Sequence, residues 1–214
     1  MDEAVRAVLR EYDAREAREA PLRAELRRSG EFEDRRDEFL LSVGSEAAQF
    51  LNLLIKACRA RVIVEVGASY GYSTVWLAEA ARANGGTLYS LEIAPGKVEY
   101  ARARLTQAGL ERSVEFLVGD AVASLERFPR PVEFALIDLW KDLYVPVLAA
   151  LHPRLAPGAL VAAVNILFPP EYAGLSAAYR EAVQARGLQS VTVPIGHGIE
   201  LSRVPLSPKP ASRR

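Results

Sequence analysis

The sequence predicts an α/β fold built on a parallel sheet with helices on both faces. Short apolar runs near 61–66, 86–92, 114–118, 132–138 and 158–166 alternate with helix-period segments near 72–84, 96–109, 121–127 and 143–154. Alternation of that kind marks crossover connections that cover both faces of a parallel sheet. The first run, Val62 to Val66, breaks into a Gly67/Gly71 turn. Ser73 and Thr74 then open a segment with Val75, Trp76, Leu77, Ala80 and Ala81 at helical spacing. Open α/β sheets bind small molecules at such a strand-to-helix corner.

Taken in order, residues 2 to about 29 read as a charge-rich helix. Val5, Leu9 and Tyr12 form one narrow apolar stripe before Pro21 interrupts the pattern. Glu11/Arg15 and Glu19/Arg23 stand four residues apart, the spacing of ion pairs on a helix face. An apolar stripe on so charged a segment has to cover something, so residues 1–40 are expected to form a helical cap over the site or a dimer contact. A helix over 46–59 leads into the first strand. After the alternating elements the pattern predicts a helix near 172–186 and strands near 188–194 and 198–204, with Gly196-His197-Gly198 as the turn of a terminal hairpin. The sheet thus belongs to one domain over 41–204, and the proline-rich tail from Pro205 to Arg214 is expected to be disordered.

A chain of 214 residues can bury a full core in one such domain. Its 27 basic and 27 acidic residues cancel, so no overall basic field would hold a phosphate backbone, and nucleic acid is disfavoured as a partner. The one cysteine, Cys58, excludes an internal disulfide and reads as a small buried hydrophobe. No apolar run approaches the roughly 20 residues of a membrane span, and the first residues lack a secretion pattern, so a cytoplasmic protein without a membrane partner is expected. His152, before Pro153, suits a helix end where it caps carbonyls, and His197 reads as a hairpin residue.

The glycine corner narrows the ligand by exclusion. A nicotinamide fingerprint wants glycine at the first, third and sixth positions, which here hold Gly67, Ser69 and Tyr72. A triphosphate loop wants a Gly-Lys-Ser/Thr that the segment lacks. What remains is a nucleoside ligand with a charged amino-acid end, met by the hydroxyls of Ser69 and Ser73, by Glu65, and by backbone at Gly67 and Gly71. S-adenosylmethionine fits that description. Glu92 closes the second strand, where a carboxylate accepts both ribose hydroxyls in α/β nucleotide folds. Asp120, followed by Ala121, closes the third, where it would accept from the exocyclic amine of adenine.

The fourth strand, Val132 to Asp138, runs into Leu139-Trp140-Lys141-Asp142-Leu143-Tyr144. This D-x-W-K-D-x-Y run closely resembles the corresponding segment of catechol O-methyltransferase. Leu41-Ser42-Val43-Gly44, the Glu65 to Ser73 loop, Glu92 and Gly196 to Arg203 match that family in order and approximate spacing, so the resemblance spans roughly residues 40–204. It implies a class I S-adenosylmethionine-dependent O-methyltransferase on a Rossmann-like seven-stranded, mostly parallel sheet with one antiparallel edge strand. The expected partner is a small-molecule hydroxyl acceptor, phenolic or catechol-like, and the expected assembly is a homodimer. Carried over by position, the resemblance places cofactor contacts at Val43, Glu65, Gly67, Ser73, Glu92 and Asp138, with Trp140 packed on adenine. It makes Asp138 and Asn165 ligands of a divalent metal such as Mg²⁺, and Lys141 the base that takes the acceptor's proton. One departure stands out: where the family has an aspartate just before the asparagine, this chain has Val164. Losing a carboxylate should weaken the hold on a hard cation.

The chemistry can be argued without the family. Methyl transfer from a sulfonium to oxygen is an in-line displacement, so the acceptor must be aligned and made nucleophilic. A phenol, with a pKa of about 10, is almost wholly protonated at neutral pH. Burial among Leu139, Trp140 and Tyr144 would lower the pKa of Lys141, while Asp138 and Asp142 would raise it. Leu167 to Tyr172 would offer an apolar, aromatic wall to a planar acceptor. Two other readings stay open on the sequence alone: a protein that binds S-adenosylmethionine without catalysis, and a nucleotide-dependent oxidoreductase, which the missing third glycine opposes.

Overall fold

The structure is a computed structural model in which residues 1–206 are described. The tail expected to be disordered lies, from residue 207 onward, outside the described residues. In chain order the elements are α1 (Glu3–Ser29), α2 (Phe32–Arg35), α3 (Ser45–Cys58), β1 (Val62–Val66), α4 (Tyr72–Asn84), β2 (Thr87–Glu92) and α5 (Pro95–Gln107). They continue with β3 (Val114–Val118), α6 (Ala121–Glu126), β4 (Val132–Ile137), α7 (Tyr144–Leu151), β5 (Leu155–Ala163), α8 (Ala173–Ala185), β6 (Gln189–Val193) and β7 (Ile199–Arg203).

The strands form one seven-stranded sheet in the order β3-β2-β1-β4-β5-β7-β6. The first five pair in parallel, whereas β7 runs antiparallel to β5 and to the edge strand β6. The expected sheet and its single reversed strand are both present. Successive residues of β1 face opposite cores: Ile63 packs with α3, α4 and α5, while Val64 and Val66 pack with α7 and α8. Burial on both faces is why the strand reads as continuously apolar rather than alternating. Strand order reverses direction at β1, which has β2 on one side and β4 on the other, and a crevice opens beyond their carboxyl ends.

Several local expectations need correction. Pro21 does not interrupt α1, which runs from Glu3 to Ser29. Both Pro21 and Ala17, whose carbonyl loses its donor, lie on the exposed face, where water supplies the missing bond. Arg15 pairs with Glu19 at 2.6 Å, and Glu11 instead reaches Arg104 on α5. Cys58 is exposed, because α3 ends there and Arg59 turns the chain away through a left-handed conformation. Strand β5 begins earlier than expected and stops at Ala163, ahead of Asn165, whose φ of +54° leaves the strand geometry.

Candidate active site

The cleft is built from the β1 corner outward. Gly67 N and Ala68 N both donate to Leu91 O, at 2.9 and 3.1 Å, and Asp138 N donates to Val66 O at 2.9 Å. These bonds hold the ends of β1, β2 and β4 together. Gly67 lines the cleft with φ at +97°, and a Cβ on it would lie 2.0 Å from Asp138 O. Ser69 also adopts a left-handed conformation, and its N–H donates to Glu92 Oε2 at 2.8 Å. Ala94 N donates to Glu92 Oε1 at 2.9 Å. The Glu92 carboxylate is thereby fixed at the cleft wall with both oxygens oriented, and each keeps acceptor capacity for a vicinal diol.

Two residues expected at the ligand, Glu65 and Gly71, lie behind those that line the cleft. Glu65 is fully buried and accepts from Ser73 Oγ at 2.6 Å, Thr74 Oγ1 at 2.7 Å and Ser90 Oγ at 2.5 Å. Burial pushes its carboxyl above the usual range, against the pull of those hydroxyls. Glu65 does not itself line the cleft, whereas Ser73 and Ser69 do. Gly71 is also set back: its φ is +92°, and a Cβ there would meet Ala101 Cβ at 2.7 Å and Tyr12 Oη at 3.1 Å, so backbone conformation and packing both require glycine.

The opposite wall is the strap Asp37, Phe39, Leu40, Leu41, Ser42 and Val43, and Leu139, Trp140 and Asn165 complete the cleft. Val43 and Trp140 were expected there. Asp37, Tyr70 and Lys97 were not, although Lys97 Nζ meets Asp37 Oδ1 at 2.8 Å and Tyr70 Oη donates to Asp37 O at 3.1 Å. Tyr70 stands inside the glycine run, which was a usable signal. The Asp37 partnership spans 60 residues and left none. The guanidinium of Arg36 sits 3.6 Å from the centre of the Trp140 ring and covers one face of it. Asp120 and Ala121 do not line this cleft: Asp120 is exposed and caps α6 by accepting from Ala123 N at 2.8 Å.

At the β4 end, Lys141 is buried just outside the cleft lining. Its Nζ donates to Val164 O at 3.0 Å and to Tyr144 Oη at 3.1 Å, and Tyr144 Oη donates to Val164 O at 3.0 Å. Desolvation lowers the Lys141 pKa to about 8, with the Asp138 charge pulling the other way. Desolvation likewise raises Asp138 to about 7, opposed by Lys141. Asp138 and Asn165 reach the same end of the cleft, as a metal site would need. Val164, at the position where the resemblance expects an aspartate, is buried and offers no side-chain oxygen. One carboxylate and one amide are a weaker donor set for Mg²⁺ than two carboxylates and an amide.

A family model described as a methyltransferase domain matches residues 64–165. Catechol O-methyltransferase of Niastella koreensis is 33% identical over 131 residues, 59% of this chain and 59% of that one. The protein of the same name from Mycobacterium tuberculosis is 32% identical over 128 residues, 59% of this chain and 58% of that one. The matches thus cover under two thirds of these curated relatives' length. Among solved structures, a cofactor-bound protein from MTB superposes with a TM-score of 0.74 at 26% identity, over 97% of this chain and 92% of that chain. The Bacillus cereus O-methyltransferase in complex with SAH also gives 0.74, at 23% identity over 95% and 91%, a likeness of fold. Residues 64–165 thus resemble a methyltransferase domain, in a chain that shares its fold with the Bacillus cereus O-methyltransferase.

Proposed function

We propose that this protein transfers a methyl group from S-adenosylmethionine to a hydroxyl of a small phenolic or catechol-like molecule. One observation carries the reading: a single cleft joins an oriented diol acceptor, Glu92, and a Cβ-free floor at Gly67 to the β4 end at Asp138, with Lys141 buried just behind that end. When bound there, the sulfonium nucleoside supplies an electrophilic methyl group. Glu92 would accept the ribose hydroxyls, Ser69, Ser73 and Val43 would hold the amino-acid end, and Trp140 would pack on the base. The acceptor oxygen forms its bond to the methyl carbon as the carbon–sulfur bond breaks and its electron pair goes to sulfur. Lys141 takes the hydroxyl proton, and Asp138 steadies the resulting ammonium. The names of the relatives support a phenolic acceptor.

The apolar stripe of α1 supports a cap rather than a dimer contact for residues 1–40, since Val5, Val8, Leu9 and Tyr12 are buried within the chain's own core. A small acceptor in the cytoplasm, with neither nucleic acid nor membrane as partner, fits the balanced charge, and no helix among the described residues is long and apolar enough to cross a membrane.

The test is transfer of labelled methyl to a panel of phenols and catechols, where product on any member supports the reading. Binding of S-adenosylhomocysteine without any transfer would leave a binding protein instead. The donor set at Asp138 and Asn165 predicts that activity in EDTA stays within about twofold of activity in Mg²⁺. Glu92→Gln is expected to raise KM for S-adenosylmethionine about tenfold, the scale of one charge-assisted hydrogen bond, with kcat changed much less. Steady-state kinetics with varied methyl donor checks it.

A further inference from the structure

Helix α1 lies outside the matched methyltransferase domain, yet it grips both walls of the cofactor cleft. On the loop side, Tyr12 is 1% exposed and its hydroxyl donates to Tyr70 O at 2.5 Å, in the middle of the Gly67–Gly71 turn. The Tyr12 ring meets Tyr72 and Tyr100 edge-on, at 5.8 and 6.2 Å. Arg15 lies 4.1 Å from the centre of the Tyr70 ring, and Tyr72 Oη donates to Asp13 at 3.2 Å. On the strap side, Leu40 N donates to Glu19 at 2.7 Å, Leu40 O accepts from Arg23 at 2.8 Å, and the Ser42 hydroxyl donates to Glu16. The strap in turn closes on the loop through Asp37, which meets both Tyr70 and Lys97.

The turn needs such a hold. Ser69 occupies a left-handed conformation without being glycine, and that conformation puts its N–H on Glu92. A backbone kept in a disfavoured region persists only where surrounding contacts over-determine it. Tyr12 supplies one of those contacts from a distant part of the chain, and burial keeps its phenol protonated, so it remains a donor.

We propose that Tyr12 is a positioning residue for the cofactor: its bond to Tyr70 O shapes the Gly67–Gly71 turn, so that ligand binding and docking of α1 are coupled. This rests on the cleft taking S-adenosylmethionine. Whatever favours the bound turn also favours docked α1, and coupling of this kind is reciprocal.

The experiment titrates S-adenosylhomocysteine calorimetrically into wild type, Tyr12→Phe and Val183→Ala. Val183 is fully buried on α8, on the far side of the sheet, so its truncation destabilises without touching the turn. The expected result is about a tenfold rise in Kd for Tyr12→Phe, on the scale of one buried hydrogen bond, and an unchanged Kd for Val183→Ala even where its Tm falls further. Amides of α1 should also exchange more slowly when S-adenosylhomocysteine is added to wild type. Wild-type affinity in Tyr12→Phe, or an equal loss in Val183→Ala, overturns the positioning role while leaving the cofactor assignment intact. Absence of binding to wild type removes the cofactor assignment and this inference with it.

Discussion

Gly67→Ala is expected to eliminate cofactor binding and to cost about 3–5 kcal/mol of stability, enough to leave a domain of ordinary stability partly unfolded. Two effects add. At φ of +97° any side chain is strained, and the new Cβ would stand 2.0 Å from Asp138 O, 2.8 Å from Asp138 C and 3.3 Å from Leu139 Cβ. The atoms in the way are backbone, and Asp138 N is tied to Val66 O, so relief requires β1 and β4 to part. Gly96→Ala is the matched control: Gly96 lies in α5, and a Cβ there meets nothing within 4 Å. It should be neutral or mildly stabilising. Thermal unfolding and a titration with S-adenosylhomocysteine read both variants, and a Gly67→Ala protein that keeps wild-type Tm and affinity would refute the argument.

Lys141→Ala should lower kcat by about 10² to 10⁴, the usual contribution of a positioned base, with KM for the methyl donor little changed. The fold should survive, because Tyr144 Oη still donates to Val164 O once the lysine is gone. The pH dependence carries the sign of the shift. A lysine lowered to about 8 by burial is neutral, and able to take a proton, only above that pH. Wild-type kcat/KM should therefore climb with pH through a midpoint near 8 and level off above it, and Lys141→Ala should lose that rise. The same shift links to stability. With the folded value below the unfolded one, the native state holds fewer protons between about pH 8 and 10.4, so this residue's contribution improves as pH rises through that window. If Lys141→Ala keeps full activity, the base is another group.

Much of this site was legible because strand ends and glycines announce themselves locally. Gly67 needs its positive φ within its own turn, and Glu92 follows from the strand that ends in it. Lys141 and Asp138 were placed by a resemblance rather than by spacing. What escaped depends on chain segments far apart. The grip of Tyr12 on Tyr70 spans 58 residues, and that of Lys97 on Asp37 spans 60. The three hydroxyls that Glu65 accepts from, on two different elements, have no signal in the strand that carries it. The capping of α6 by Asp120 is likewise read from the structure and not from its strand end. The proline rule mispredicted α1 because water replaces the lost bond on an exposed helix face, and burial is not a local property.

The central claim is that the corner after β1 holds a sulfonium nucleoside. Calorimetric titration of S-adenosylhomocysteine into the wild-type protein tests it most directly. The predicted result is one site per chain with a dissociation constant in the micromolar range, about −8 kcal/mol, weakened by Glu92→Gln. No heat of binding at millimolar ligand would contradict it.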